Sequence, residues 1–234
     1  MTDKSDDDLG QTGSESFAGR NRPSVPDSKA ASGEFISSVS SDVMAAIVGG
    51  YCSTPFDVLG MHAIALGGEP ALSVRTFQPQ AVAVSLKRGG YLHPMDRVHP
   101  DGFFETILPG EAESFRYRLL ISLPAAAGIP VPHQYEIEDP YCYPPVLADH
   151  DLQLFTEGTH FRLYEKLGAR IIDHNGAPGV CFAVWAPNAE RVSVIGEFNQ
   201  WDGHRHPMRP RGASGLWEIF LPGLQQGGHV QIRG

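Results

Sequence analysis

The chain from Thr54 onward alternates short apolar segments with Gly, Pro, Asn and Asp at intervals of about ten residues. Such spacing is typical of an all-β sandwich, and the apolar period of an amphipathic helix is almost absent. We predict strands over residues 71–78, 82–86, 102–108, 115–123, 180–186, 191–197, 215–221 and 229–233. The pattern therefore predicts an all-β fold for most of the chain.

The start of the chain has a different pattern. Residues 1–34 are rich in Ser, Asp, Gly and Pro and contain few large apolar side chains, so they cannot bury enough surface to offset the entropy of ordering. We predict a disordered tail there. A short helix is predicted within residues 35–50, because Ser40 can cap the apolar run 43–48 and Gly49 can end it.

Two parts of the chain repeat one pattern. FQPQA at residues 77–81 aligns with WAPNA at 185–189, an offset of 108 residues. At an offset of 113, HPM at 93–95 aligns with HPM at 206–208, and GFFETILPG at 102–110 aligns with GLWEIFLPG at 215–223. The order is kept, and one loop insertion explains the change in offset.

The repeat predicts two tandem immunoglobulin-like β-sandwich modules. We place the first over residues 51–145 and the second over residues 177–234. The intervening residues 146–176 are predicted to be a connector with a short helical turn, because prolines at its start favour extended chain.

Composition narrows the classes of partner. Lys and Arg number 18 against 27 Asp and Glu, and a formal charge of −9 gives no support for a nucleic-acid-binding surface. No cationic and apolar signal segment opens the chain, and no apolar run approaches the roughly 18 residues of a membrane span. We predict a cytoplasmic protein without nucleic-acid or membrane partners. Cys52, Cys142 and Cys181 are widely spaced, which favours core residues or free thiols over disulfides or a metal site.

Seven motifs are the most specific features of the sequence: FDVLGMH at 56–62, EDPY at 138–141, PPVL at 144–147, GTH at 158–160, LYEKLG at 163–168, FAVWAPNA at 182–189 and GEFNQWDG at 196–203. Together they resemble the N-terminal half of bacterial 1,4-α-glucan (glycogen) branching enzymes, over residues 56–228. The resemblance implies two β-sandwich modules, the second a family 48 carbohydrate-binding module, in front of a (β/α)₈ catalytic barrel of glycoside hydrolase family 13 type.

The resemblance also indicates what the sequence lacks. A barrel needs about 250 residues of alternating strands and helices, for which the sequence has no room. We therefore predict an accessory fragment, inactive alone, of an enzyme that transfers a cut α-1,4-glucan segment to a 6-hydroxyl without cofactor or metal. Residues 229–234, HVQIRG, replace a Tyr-Lys-Phe-Glu-like strand of the family, so the second module is predicted to be incomplete and the less stable of the two. A truncated enzyme, a split enzyme and a change of reading frame all stay open.

Asn199, Trp201 and Asp202 are the candidate glucan contacts. A Trp ring can stack on the apolar face of a glucose unit while Asn and Asp bond its hydroxyls. By the resemblance, Trp201 matches the stacking position of the carbohydrate-binding module. The alternative for Trp201 is a structural role or a contact with another domain. His204 and His206 would point to the same side of an extended segment, but two further zinc ligands are lacking, so we predict a loop surface or domain contact and no metal.

Other chemistry-bearing residues have structural interpretations. The acidic cluster Glu136, Glu138 and Asp139 is predicted to be a solvated linker, so no catalytic residue is assigned. Trp185 and Trp217 are predicted to pack in the cores. The predicted partners are α-1,4-glucan or glycogen and a catalytic barrel on a separate chain. The alternatives are a stand-alone glycogen-binding or protein-interaction module and a non-functional remnant.

Overall fold

The computed structural model describes residues 37–125 and 133–234, and antiparallel β-sheets dominate these ranges. The tail predicted over residues 1–34 lies outside the described residues. The described strands form two sandwiches in tandem, and the predicted all-β class is confirmed.

The first module is built from one helix and eight strands: α1 (Ser41–Val48), β1 (Gly60–Leu66), β2 (Glu69–Phe77), β3 (Ala83–Arg88), β4 (Tyr91–Pro94), β5 (Asp96–His99), β6 (Phe103–Pro109), β7 (Arg118–Ser122) and β8 (Gln134–Glu138). One sheet has the order β1-β2-β6-β5 and the other the order β4-β3-β7-β8. The predicted helix is present, with the Ser40 side chain accepting from the Val43 N–H and Gly49 at its C-cap.

The second module repeats this plan with fewer strands: α2 (Asp149–Thr156), β9 (Gly168–His174), β10 (Ala177–Trp185), β11 (Ser193–Gly196), β12 (Arg209–Pro210), β13 (Leu216–Pro222) and β14 (Val230–Arg233). Its larger sheet has the order β12-β13-β10-β9. Its smaller sheet contains β11 and β14. Four strands of the first module's second sheet thus correspond to two in the described part of this one.

The repeat is longer in the structure than the sequence motifs indicated. Helices α1 and α2, strands β1 and β9, and strands β2 and β10 are each related by an offset of 108 residues, and β6 and β13 by 113. Residues 168–174 were expected in the connector, but they form β9 and pair with β10 along its length. This edge strand mixes charged and apolar residues and is largely exposed, so it lacks the apolar alternation that would have revealed it.

Each core is filled from both sheets of its sandwich. In the first module Val74 and Phe104 of one sheet pack with Leu86 and Leu119 of the other. The second core is built likewise, around Phe182, Val194, Met208, Trp217 and Ile219. Full burial of each such side chain stabilises the fold by roughly 1.5–3 kcal/mol, so these faces fix which side of each strand points inward.

The two tryptophans predicted to be core residues have different environments. Trp217 is buried and its Nε1 donates to the Ala186 carbonyl at 3.1 Å, as predicted. The prediction for Trp185 was wrong: its side chain is 55% exposed, with its ring edge-on to Phe155 of α2. Its repeat counterpart Phe77 is buried, because α1 covers it with Ile47.

A buried glutamate ties each module to the segment that precedes its helix. Glu105 of β6 accepts from the Ser38 N–H at 3.1 Å and from Ser73 Oγ at 2.6 Å, and Arg75 Nε lies 3.2 Å away. Glu218, its counterpart on β13, accepts from the Leu147 N–H at 2.8 Å. Each helix therefore belongs to the module that follows it.

The acidic cluster is part of the first module, so the predicted solvated linker was wrong. Glu136 and Glu138 lie on β8, which pairs with β7. Asp139 is 1% exposed and accepts from the Tyr117 hydroxyl at 2.6 Å and the Tyr141 N–H at 3.0 Å. Three strong donors and acceptors in close contact make burial of this carboxylate possible.

The remaining sequence expectations concern cysteines and membrane segments. Cys52, Cys142 and Cys181 are free thiols, and Cys181 is buried in the second module. None of the helices in residues 37–125 and 133–234 is long and apolar enough to cross a membrane.

Candidate functional site

The candidate glucan contacts lie in the loop that follows β11, residues 196–208, which we call the Trp201 loop. A 3₁₀ turn over Glu197–Asn199 opens it, and Gln200 and Trp201 then adopt φ angles of 58° and 62°. Two consecutive non-glycine residues in the left-handed region are uncommon and cost energy. Surrounding contacts must hold this conformation.

Asn199 supplies those contacts. Its side chain is 0% exposed, Oδ1 accepts from the Gly196 N–H at 2.9 Å, and Nδ2 donates to the Val194 carbonyl at 2.8 Å. These bonds close the loop from within, and a backbone bond from Trp201 N–H to the Gly196 carbonyl at 2.9 Å completes the turn. In this conformation Asn199 cannot reach a ligand, so its place is structural and differs from the sugar contact expected of it.

Trp201 is the residue that the loop presents to solvent. Its side chain is 42% exposed. The constrained backbone on both sides limits the orientations of the indole, which lowers the entropy lost when a flat ligand stacks on it. Among the three predicted contacts, Trp201 has the exposure that a sugar platform requires.

Asp202 is partly exposed and bonds to its own loop. Its Oδ1 accepts from the His204 N–H at 2.9 Å and lies 2.7 Å from His204 Nδ1. These contacts fix the carboxylate beside Trp201.

The two histidines have different surroundings, in contrast to the predicted common side. His204 is exposed, whereas His206 is partly buried with its ring 5.1 Å from that of Phe198. Burial, aided by the charge of Arg205, lowers the pKa of His206 to about 3, so its ring is neutral near pH 7. Within the described residues, no group of three His, Cys, Asp or Glu side chains could hold a metal ion.

The Trp201 loop also contacts the first module, an arrangement that sequence reasoning missed. Gln200 Oε1 accepts from Gln80 Nε2, and Arg205 Nη2 donates to Gln78 Oε1 at 3.4 Å. The Tyr141 hydroxyl donates to the Arg205 carbonyl at 3.3 Å. Gln78 and Gln80 lie in the FQPQA motif, so the repeat marked the segment although it did not reveal the contact.

A cleft of about 740 Å³ between the modules adjoins this loop. Its walls carry aromatic rings, including Tyr135 and Phe198, together with amide and guanidinium groups, including those of Gln78, Gln200 and Arg205. Ring faces combined with hydrogen-bonding side chains suit a polyhydroxylated ligand better than an apolar one.

Comparisons with known proteins agree with the two-module architecture. Residues 40–141 match the model described as alpha-1,4-glucan branching enzyme GlgB, N-terminal domain. Residues 166–233 match carbohydrate-binding module 48 (isoamylase N-terminal domain). The similarity expected from the seven motifs is confirmed.

Two curated relatives are both 1,4-alpha-glucan branching enzymes GlgB. The one from Cereibacter sphaeroides is 51% identical over 189 residues, which cover 80% of this chain and 24% of the relative. The one from Paramagnetospirillum magneticum is 49% identical over 185 residues, which cover 78% of this chain and 23% of the relative. The chain thus spans about a quarter of the length of the curated relatives that it matches.

A solved structure adds little to the sequence matches. The crystal structure of a type I pullulanase from Bacillus subtilis, complexed with maltose, aligns with 74% of this chain and 23% of its own at 14% identity and a TM-score of 0.24. A score this low supports no structural argument.

Proposed function

The chain carries the N-terminal domain of the 1,4-α-glucan branching enzymes followed by a family 48 carbohydrate-binding module, and we propose that it holds α-1,4-glucan for such an enzyme through Trp201. In the complete reaction an α-1,4 link is cut and the freed segment is transferred to a 6-hydroxyl. The present chain contributes substrate contact, and a catalytic barrel contributes the bond cleavage.

The exposed Trp201 in its constrained loop carries this proposal. A left-handed tryptophan costs stability, and the buried amide of Asn199 offsets that cost with three hydrogen bonds. Such strain is often retained where it orients a ligand-binding side chain. The indole stacks on one glucose unit, and Asp202 accepts from a hydroxyl of the same unit.

The cleft beside the loop extends the proposed site. A glucan chain longer than one unit has further hydroxyls to satisfy, and Gln200 and Arg205 at the cleft wall offer donors for them. Because Gln80 and Gln78 of the first module hold the same two side chains, both modules contribute to the glucan surface.

Native gel electrophoresis with glycogen in the gel tests this proposal. We expect glycogen to retard the wild-type chain, and Trp201→Ala to weaken the apparent affinity about tenfold, equivalent to roughly 1.4 kcal/mol. Trp185→Ala is the matched control, because it removes an equally large exposed indole outside the loop. Equal mobility of all three chains with and without glycogen would refute glucan binding.

The second part of the proposal concerns catalysis. We expect the purified 234-residue chain to form no α-1,6 branches on amylose, because none of the described residues builds an enclosed pair of catalytic carboxylates. Turnover by this chain, measured as branch points released by a debranching enzyme, would contradict the assignment of cleavage to a separate barrel.

A further inference from the structure

Strand β14 leaves one edge of the second module unpaired. In the first module β7 pairs with β3 on one side and with β8 on the other. In the second module β14 pairs with β11, and none of the strands in the described residues lies on its other side. An edge strand presents a row of free N–H and C=O groups that can pair with a further strand.

The register identifies equivalent positions in β7 and β14. Leu86 pairs with Leu119, and Val194, which is Leu86 displaced by 108 residues, pairs with Ile232. Leu86 and Val194 are both fully buried, so the two pairs occupy the same place in their cores. Ile232 is therefore the counterpart of Leu119, and by the same alternation Val230 is the counterpart of Tyr117.

These equivalent positions differ strongly in exposure. Leu119 is 0% exposed and Ile232 is 43% exposed, while Tyr117 is 5% exposed and Val230 is 38% exposed. In the first module Tyr135 and Ile137 of β8 pack against this part of the core.

Two apolar grooves flank the uncovered strand. One, of about 540 Å³, is lined by side chains that include Val180, Phe182 and Val230. The other, of about 450 Å³, is lined by side chains that include Phe182, Trp185 and Ile232. Val180 and Phe182 belong to the core of the second module, so the grooves reach the interior of the sandwich.

Charge indicates which strand would fit. In the first module Glu136 and Glu138 of β8 form ion pairs with Lys87 and Arg118 on the neighbouring strands. Leu120 faces Glu136 across the β7–β8 ladder, and its counterpart in β14 is Arg233. Arg233 is exposed and forms no ion pair with any of the residues that the structure describes. A carboxylate on an added strand would face Arg233.

We propose that the free edge of β14 binds an extended segment of a second polypeptide, antiparallel to β14, with a branched apolar side chain facing Ile232 and a carboxylate facing Arg233. Main-chain hydrogen bonds supply affinity, and the two grooves and Arg233 select the side chains. This surface lies apart from the Trp201 indole, and the proposal does not depend on glucan binding.

The chain itself contains a suitable probe, the segment HQYEIED at residues 133–139. As a capped peptide in the register of β8, it would place Ile137 opposite Ile232 and Glu136 opposite Arg233. We expect millimolar peptide to slow amide hydrogen exchange of Val230–Arg233 about tenfold and to shift the fluorescence of Trp185. Exchange of Arg118–Ser122 should be unchanged, because β8 already covers that strand.

A charge exchange makes the test specific. Arg233→Glu should weaken binding of the peptide, and a peptide carrying Glu136→Lys should restore binding to that variant. Arg162→Glu is the matched control, since it reverses an exposed arginine elsewhere in the second module and should leave binding unchanged. Ile232→Lys should abolish binding of either peptide.

Three results would overturn the proposal. The first is no protection of Val230–Arg233 at millimolar peptide. The second is protection that ignores both charge reversals. The third is protection that rises with protein concentration in the absence of peptide, together with a dimer in sedimentation, which would assign the edge to a second copy of this chain.

Discussion

The two modules are one structural unit built twice, with different degrees of closure. Both have a lead-in helix, a buried glutamate and a four-stranded sheet in the same order. In the first, β8 covers Leu119, whereas Ile232 at the equivalent position is 43% exposed. The comparison shows that the lead-in helix and the four-stranded sheet can form while the second sheet is open, and that the second module combines a sugar-facing loop with an open edge.

The largest effect we expect comes from the buried glutamates. Glu105→Ala should lower the free energy of unfolding by about 3–5 kcal/mol, because it leaves Arg75 buried without its carboxylate. Glu218→Ala should cost less, since Arg211 can still bond the carbonyl of Leu147. Urea unfolding measures both, and the double variant Arg75→Met, Glu105→Leu should recover much of the loss. Equal losses at Glu105 and Glu218 would remove this distinction between the modules.

Truncation at the equivalent positions Leu119 and Ile232 tests the difference in closure. Leu119→Ala should destabilise the chain by about 2–5 kcal/mol, because it leaves a cavity in a closed core. Ile232→Ala should cost less than about 1 kcal/mol, because solvent already reaches that side chain. Thermal or urea unfolding of the two variants gives the comparison. A loss at Ile232 as large as that at Leu119 would mean that the edge is covered in solution.

Acid and base should act on the two modules with opposite sign. Burial raises the pKa of Asp139 to about 6 although Tyr117 and Tyr141 donate to the carboxylate. The folded state therefore binds the proton more tightly than the unfolded state, and this stability is lost as pH rises from about 4 to 6, by up to roughly 3 kcal/mol. The unfolding free energy of wild type minus that of Asp139→Asn should fall over this range. A difference that stays constant with pH would contradict the shift.

His206 provides the opposite case in the second module. Its pKa is lowered to about 3, so the unfolded state binds the proton more tightly, and stability is lost as pH falls from 6.5 towards 3. Wild type minus His206→Gln should therefore fall with decreasing pH, with its onset near pH 6.5. Hydrogen exchange resolves the two modules in the same sample.

The smallest expected effect separates the two helices. Ser40 caps α1 through a bond from the Val43 N–H, whereas Ala148 at the same position of α2 has no side-chain acceptor. Ala148→Ser should stabilise the chain by about 1 kcal/mol, and Ser40→Ala should destabilise it by a similar amount. Thermal unfolding resolves both changes. An Ala148→Ser variant no more stable than wild type would show that Asp151, which accepts from the Ala148 N–H, already satisfies this helix end.

The repeat and the turn residues predicted the architecture because they depend on local pattern. The paired GFFETILPG and GLWEIFLPG segments both form the strands expected of them, β6 and β13. Strand β9 was missed because its charged residues alternate irregularly at an exposed edge. Long strands with one buried face were readable, and edge strands were not.

The candidate site was predictable in part. Trp201 could be singled out from its motif, and its exposure agrees with the role proposed for it. The burial of Asn199 and Asp139 depends on donors distant in space, such as the Tyr117 hydroxyl for Asp139, so a linear sequence gives no sign of it. The contact of Gln80 with Gln200 spans 120 positions and likewise arises only when the modules pack.

Native-state hydrogen exchange at Leu119 and Ile232 tests the central comparison most directly. The amides of β7 should exchange only through large-scale unfolding, because β7 has neighbours on both sides and a buried core face. The amides of β14 should exchange faster by orders of magnitude, since one edge is free and both apolar side chains contact solvent. Protection of β14 equal to or greater than that of β7, at protein concentrations where the chain is monomeric, would contradict the account of a closed first module and an open second one.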